Sequence, residues 1–562
     1  MTPVIAGVDI GNATTEVAVL AGGRLLGTDR LPTRGRKGSA VSVLGAAALV
    51  RRVERRLGVQ VTEASIAPLR AVDTATLAVP ALPPRTGRLR VLAAGVPTPG
   101  GAGACVGRPL ALDAPDPTAD PRIVLVPPGL GYAAAAAQVR RLIDAGVPVG
   151  AVLAAGDEGV LIANRLAAPV PVIDQVDTVA AAACPLLAVE VRAPGQPLTM
   201  LTDPVALGAA LRLGDGEAAD AVTLSRLLLD FSNAVIGLAA PDTGNGASAG
   251  PAAEPWLLTE SRRVPLREAC AELASWPPGT VRALGTAAGQ TPVDDLYALD
   301  LAQVADSATA RRGSTGRTVL AASLHRAGTG PDHAALLGEL LGRPVRCLIS
   351  EPTAAQLGAR TTPGARADAT VVDVGAGTID VIAPDGEVVA AGAGDLLTAA
   401  VAELLTLPRA AADWVKRGPS LRVTASQRFE AEDGSHGFLD RPAAAAALGM
   451  LAAPGPAGLL PFDRRHSPAE WRAIRLRLKE AVFAANLLRA LRTPGVRPSA
   501  QVLIVGGPAG DDELLGVLLR ALPGAVTAGR GNVGGTLPGA PAGHRHAAAL
   551  GLALAAGAGA GG

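Results

Sequence analysis

The sequence predicts an α/β protein whose two related domains face one cleft, and three stretches carry that expectation. The first is residues 5–21, where an apolar run ends at Asp9 and Gly11, hydroxyls follow at Thr14 and Thr15, and a second apolar run begins. That is a strand, a tight turn and a strand. A small-residue turn lets backbone N–H groups approach a phosphate closely, and Asp9 stands where a carboxylate holds a magnesium ion, directly or through water. An Asx-turn hairpin is the other reading of this stretch alone. The second stretch is its copy at 369–385, with Asp373 on Asp9, Gly375 on Gly11 and Thr378 on Thr14. A repeat so widely separated points to two domains rather than a solenoid. The third is residues 501–508, a strand running into Gly506 and Gly507, where bare backbone can lie against a flat base or sugar.

Composition narrows the function classes. A chain of 562 residues has room for several cores, and with 5 Phe, 2 Tyr and 4 Trp those cores must be aliphatic. Lys plus Arg (51) nearly equals Asp plus Glu (50), so no basic surface argues for nucleic acid or acidic lipid. The excess of Arg over Lys, with the Ala and Gly excess, reads as coding bias. Cys105, Cys184, Cys270 and Cys347 are far apart and form no Cys-x-x-Cys pair, which leaves zinc and iron–sulfur sites without support. There is no signal-peptide pattern, and the apolar tracts at 443–461 and 547–562 are Ala- and Gly-rich, unlike a membrane span. A cytoplasmic, reduced, membrane-free protein is expected.

Along the chain, a basic loop at 34–38 follows the first strand unit, a helix is expected over 40–57, and strand pattern over 60–80. Pro and Gly then thicken to residue 104, placing a domain boundary near 90. Residues 90–250 alternate short apolar strands (123–126, 149–153, 170–173) with helical pattern (133–145, 204–236), the pattern of an open sheet. Asp157 and Asp174 follow strand ends, as ligands in α/β domains do and as surface turn aspartates do. A linker is expected at 240–254. Glu351-Pro352 opens a small-residue helix just before the second hairpin. Residues 396–416 read as helix, with Asp413 and Lys416 on one face, either a solvated ion pair or contacts to ribose and adenine. Residues 418–465 look irregular, a long helix is expected over 468–492, and a final Ala/Leu helix follows His544-Arg545-His546.

Taken in order, these pieces resemble the ATPase fold shared by actin, sugar kinases and heat-shock chaperones. The resemblance implies two ribonuclease-H-like domains closing on ATP or ADP with magnesium. Asp9, Gly11, Asn12, Ala13 and Thr14 match its first phosphate motif, Asp373, Gly375, Ala376, Gly377 and Thr378 its second, and Gly506 and Gly507 its adenosine motif. Six further stretches, at 10–12, 98–103, 157–166, 392–395, 486–492 and 529–532, are similar to the large subunit of diol/glycerol dehydratase reactivase. That family is a chaperone-like ATPase. It releases damaged cobalamin from an adenosylcobalamin-dependent dehydratase and works with a small subunit as a hetero-oligomer.

Carried over by position, Asp413, Trp414, Val415, Lys416, Gly507, Pro508 and Arg545 line the ribose and base. Asp157 and Asp174 match metal ligands of an inserted swivelling domain, while the family's third ligand, a threonine, aligns with Val106. Asp9 and Asp373 are expected to hold magnesium-bound waters, and Glu351 either orients the hydrolytic water or packs its helix. The implied organisation is an ATPase domain over 1–90, 255–417 and 466–562, the swivelling domain over 91–254 and a peripheral insertion over 418–465. A sugar-type kinase of this fold, or a scaffold that binds nucleotide without turnover, are the rival readings; the first lacks a sugar-binding set here.

Overall fold

The computed structural model describes residues 2–78, 87–96, 98–113, 119–166, 169–193, 196–229, 231–240, 255–286, 289–306, 318–325, 332–455 and 457–559. From residue 241 on, the expected linker lies outside the described residues. Contacts divide the chain into two compact units. One comprises Met1–Val79, Ala252–Ala308 and Arg317–Gly562, and the other is chiefly Pro80–Pro251.

The larger unit contains two five-stranded sheets of one design. In the first, Val4–Ile10, Thr14–Ala21 and Arg24–Pro32 form an antiparallel meander, Glu63–Ile66 adds in parallel, and Val345–Arg346 completes it. In the second, Thr370–Val374, Thr378–Ala383 and Gly386–Ala391 form the meander, Gln501–Val505 adds in parallel, and Thr527–Arg530 completes it. The strand order matches throughout, so the repeat seen in one hairpin extends over a whole sheet.

The strand Val4–Ile10 reads as a continuous apolar run because both its faces are covered. Ala6, Val8 and Ile10 pack with Val43, Val50 and Val53 of the helix Ala40–Leu57. Ile5 packs on the other side with Ala549, Leu550 and Ala553 of the helix Ala547–Gly559. Each Val, Leu or Ile so buried contributes about 1.5–3 kcal/mol. The helix Ala40–Leu57 starts at Ser39, whose side chain accepts from Ser42 N, and stops at Gly58 in the left-handed region.

Part of the glycine and alanine excess has a packing cause. A Cβ on Gly7 would lie 1.9 Å from Ala549 O, one on Gly358 1.9 Å from Ala547 O, and one on Gly551 1.8 Å from Ala354 O. The first strand, the helix Glu351–Ala359 and the final helix therefore touch backbone to backbone.

A six-stranded sheet in the same unit runs in the order Arg263–Pro265, Trp256–Leu258, Ala283–Thr286, Gly289–Asp300, Thr318–His325, Val72–Ala78. The chain enters the smaller unit after Val72–Ala78 and leaves it before Trp256–Leu258. Residues 418–465, expected to be irregular, form a five-stranded sheet instead. Its strands are short and half exposed, so no clean alternation marks them, and Pro461 sits on the edge strand Gly458–Asp463, where a missing N–H is tolerated. The long helix is real but widens at Glu480–Ala484 into a π turn between Pro468–Lys479 and Ala485–Leu491.

The smaller unit has a seven-stranded sheet. Helical pattern expected over 204–236 resolves into helices Pro204–Leu211 and Ala218–Leu227 and then a strand, Asn233–Leu238, buried at every position. A fully buried strand has no alternation to distinguish it from buried helix. Among the described residues, no helix is long and apolar enough to cross a membrane.

Candidate functional site

The two hairpins close in the same way. Gly11 N donates to Thr14 O at 2.9 Å, and Gly375 N donates to Thr378 O at 2.9 Å. The registers agree as well, with Asp9 opposite Glu16 and Asp373 opposite Asp380. The turns meet face to face: a Cβ on Gly377 would lie 2.9 Å from Asn12 Nδ2. Ala13 and Ala376 lie within these turns. The Asn12 amide itself is occupied, donating to Val72 O at 2.5 Å. What the first turn offers a phosphate is therefore its backbone, together with the Thr14 hydroxyl, which donates to Glu16 Oε1 at 3.2 Å.

Between the hairpins lies a charged, largely buried centre that the sequence did not disclose. Lys37, from the basic loop, is buried and pairs with Glu351 Oε2 at 2.7 Å. Burial pushes the ammonium down, but Glu351, Asp9 and Asp380 hold it above its ordinary value. Burial, reinforced by Glu351, raises Asp9 well above the usual carboxylate range, and burial with Asp380 does the same to Asp373. Burial pushes Glu16 and Asp380 up to about 7 each. Asp380 Oδ1 is buried with no hydrogen-bond partner. Such a carboxylate set lacks positive charge, and a magnesium ion fits that deficit. A cavity of about 430 Å³ opens beside it, lined in part by Asn12, Arg36, Lys37, Asp73, Asp395 and Arg409.

Gly506 ends its strand at φ +92°, and a Cβ there would meet Val374 O at 2.2 Å and Asp373 Oδ1 at 2.4 Å. This close approach sets the glycine strand against the second hairpin. Gly507 faces Arg545, whose Nη1 would be 3.1 Å from an added Cβ, and Pro508 packs near Gly394. Burial, followed by the like charge of Arg30, lowers Arg545. The Asp413 segment divides. Asp413 pairs with Lys416 at 2.8 Å and with Arg417, and these cations hold it below its usual range although burial opposes them. Lys416 is mostly buried, donating to Gly394 O at 3.0 Å and Thr398 Oγ1 at 2.6 Å, while Asp413 is 38% exposed, so only the lysine end of the pair is withdrawn from water. Val415 is 1% exposed and belongs to the core, whereas Trp414 is 39% exposed with Arg417 stacked 4.8 Å from its ring centre.

In the smaller unit, Thr98 Oγ1 lies 3.0 Å from Asp157 Oδ1 and 3.0 Å from Asp174 Oδ2. Gly159 N donates to Asp174 Oδ2 at 2.8 Å, and Asp174 Oδ1 is buried without a partner. Val106 sits on the strand Gly103–Ala111 opposite Ala188, and the hydroxyl beside the aspartates is that of Thr98, eight positions earlier in the chain. One hydroxyl has one proton for two carboxylates, so the cluster as it stands is short of positive charge, and a divalent cation fits it. Among the described residues, no group of three or more His, Cys, Asp or Glu is gathered for a metal.

Lys37 and Thr98 are the residues missed. The chain has only three lysines, Lys37, Lys416 and Lys479, among its 51 Lys and Arg; all three are in ion pairs, Lys37 and Lys479 buried and Lys416 mostly so. In an Arg-rich chain, a retained lysine is the available signal.

The model of the diol dehydratase reactivase ATPase-like domain matches residues 285–556, and that of the DD-reactivating factor swiveling domain matches residues 92–243. The propanediol dehydratase-reactivating factor large subunit of Citrobacter freundii is 29% identical, over 95% of this chain and 96% of its own. The diol dehydratase-reactivating factor large subunit of Klebsiella michiganensis is also 29% identical over the same shares. A solved diol dehydratase-reactivating factor in nucleotide-free form superposes with a TM-score of 0.57 at 26% identity, covering 99% of this chain and 100% of its own. The ATPase-like domain, the swivelling domain and the full-length likeness agree, and the chain belongs to the family of diol dehydratase-reactivating factor large subunits.

Proposed function

We propose that this protein hydrolyses ATP to release cobalamin that has lost its adenosyl group from an adenosylcobalamin-dependent diol or glycerol dehydratase, so that intact cofactor can enter. The observation that carries this reading is the pair of like hairpins, Gly11–Thr14 and Gly375–Thr378, meeting at Asn12 and Gly377 beside a buried Lys37. It stands in a chain whose relatives are named as reactivating factors.

Hydrolysis of a phosphoanhydride needs positioning and charge more than covalent help. The hairpin amides cradle the phosphates. Lys37 donates to the terminal phosphoryl, and its place beside Glu351 fixes its direction. Glu351 has a second carboxylate oxygen to accept from the attacking water. Asp9 and Asp373 would hold a magnesium ion, which would supply the positive charge that lets both ionise. Gly507, Pro508, Arg545 and Trp414 border the adenosine. In the smaller unit, Thr98, Asp157 and Asp174 hold a second divalent cation. A small subunit and the client dehydratase complete the assembly.

Phosphate release from ATP tests the chemistry: Asp9→Asn and Asp373→Asn are each expected to lose most turnover, and wild-type rates in both sink the assignment. The client is tested by incubating cyanocobalamin-inhibited diol or glycerol dehydratase with this protein, its small subunit, ATP, magnesium and fresh adenosylcobalamin. Recovery is expected; its absence with both clients rejects the reactivase reading and leaves the ATPase one.

A further inference from the structure

Two stretches that the sequence singles out, 392–395 and 486–492, meet in the larger unit. Asn486 is fully buried, and its Nδ2 donates to Ala391 O at 2.8 Å and to Gly392 O at 2.7 Å. Its Oδ1 accepts from Arg489 Nη1 at 2.9 Å. Arg489, fully buried too, donates to Asp295 Oδ2 at 3.0 Å, pairs with Asp295 Oδ1 through Nη2, and reaches Trp276 O at 2.9 Å. Asp295 closes the ring by accepting from Ala391 N at 2.8 Å.

On its far side the same turn is tied to the second hairpin by successive carbonyls. Gly394 N donates to Gly375 O at 3.3 Å, Asp395 N to Ala376 O at 2.7 Å, and Gly392 N to Gly377 O at 2.8 Å. Asp295 lies on Gly289–Asp300, within the six-stranded sheet from which both chain connections to the smaller unit depart. Tyr297, on the same strand, donates to Ala481 O at 2.6 Å, inside the π turn that precedes Asn486. Interruptions of this kind in a helix often mark functional positions.

We infer that Asn486 and Arg489 are positioning residues that couple the second phosphate hairpin to the sheet carrying the inserted unit. The inference rests on the nucleotide reading proposed above. Every polar atom in the ring has a partner, so the turn and the strand cannot shift independently without stranding a buried donor or charge. Phosphate contact at 375–377 then biases Asp295 and its strand, and linkage makes the bias reciprocal.

Hydrogen exchange of the full-length protein with and without ADP, together with steady-state phosphate release, tests this. In the wild type, ADP is expected to slow exchange roughly tenfold at both 392–395 and 289–300. Asn486→Asp keeps the volume but turns two donors into acceptors. It is expected to abolish the protection at 289–300 and to lower kcat about tenfold while KM for ATP changes less. A merely structural asparagine would lower the melting temperature and leave kcat and the protection pattern unchanged. Arg489→Lys, which keeps the charge but not the fork, is read in the same way should the first variant not fold. Wild-type protection in the folded variants, or ADP binding that leaves 289–300 unprotected in the wild type, overturns the coupling alone. A wild type that binds no ADP overturns the nucleotide reading and the coupling with it.

Discussion

At the scale of single residues the cleft is a problem of charge. Glu16 and Asp380 sit at matching places in the two hairpins and are pushed up to about 7 by burial. Between the ordinary carboxylate range, about 4, and about 7 the folded chain holds protons that the unfolded chain has released, so stability is lost as the pH rises through that window and levels off above it. The nucleotide-free protein is therefore expected to melt at a lower temperature at pH ~8 than at pH ~6, and the pair Glu16→Gln, Asp380→Asn is expected to flatten the slope, since neither amide titrates. Lys37 makes a sharper test. Both Lys37→Met and Lys37→Arg are expected to slow phosphate release on the order of a hundredfold, because a planar guanidinium does not replace a compact ammonium in a close-fitting buried position. Asp9 and Asp373 were legible in the sequence because each ends a strand pattern. Lys37 was not, since its partner Glu351 is 314 positions away and only folding joins them.

At the scale of elements, the tight approach of the glycine strand to the second hairpin separates two neighbouring glycines. Gly506→Ala places a methyl 2.2 Å from Val374 O at a left-handed φ and is expected to destabilise the protein by roughly 2–4 kcal/mol in urea titrations. Gly507→Ala meets only the Arg545 side chain and is expected to leave stability nearly unchanged while weakening the binding of a fluorescent ADP analogue. The hairpins and the helix Ala40–Leu57 were readable because their apolar spacing and their turn and cap residues agree. The strands of 421–463 were not, being short, half exposed and interrupted by proline. Thr98 was missed for another reason: Val106, the position matched to the family's threonine, lies on a strand, whereas the hydroxyl beside the aspartates comes from a loop.

At the scale of the whole molecule, two compact units with separate cores are expected to give two calorimetric transitions. ADP at a hundred times its Kd adds about 2.7 kcal/mol to the unit that binds it, so one transition rises with nucleotide. Magnesium alone is expected to raise the other, through Asp157 and Asp174, and Asp174→Asn to remove that response. The twofold plan of the larger unit was visible from one repeated hairpin, but its extent over five strands was not, because Val345–Arg346 and Thr527–Arg530 are too short to carry a pattern. That plan also sets an order of assembly. The first sheet needs a strand made after residue 344 and a covering helix that begins at Ala547. At ribosomal speeds of about 5–20 residues per second, its apolar face waits on the order of half a minute or more for its cover. The smaller unit, encoded chiefly by Pro80–Pro251 between them, can fold during that wait. The first sheet of a factor proposed to rescue another enzyme is thus completed only by the helix Ala547–Gly559, far along the chain from the strands it covers.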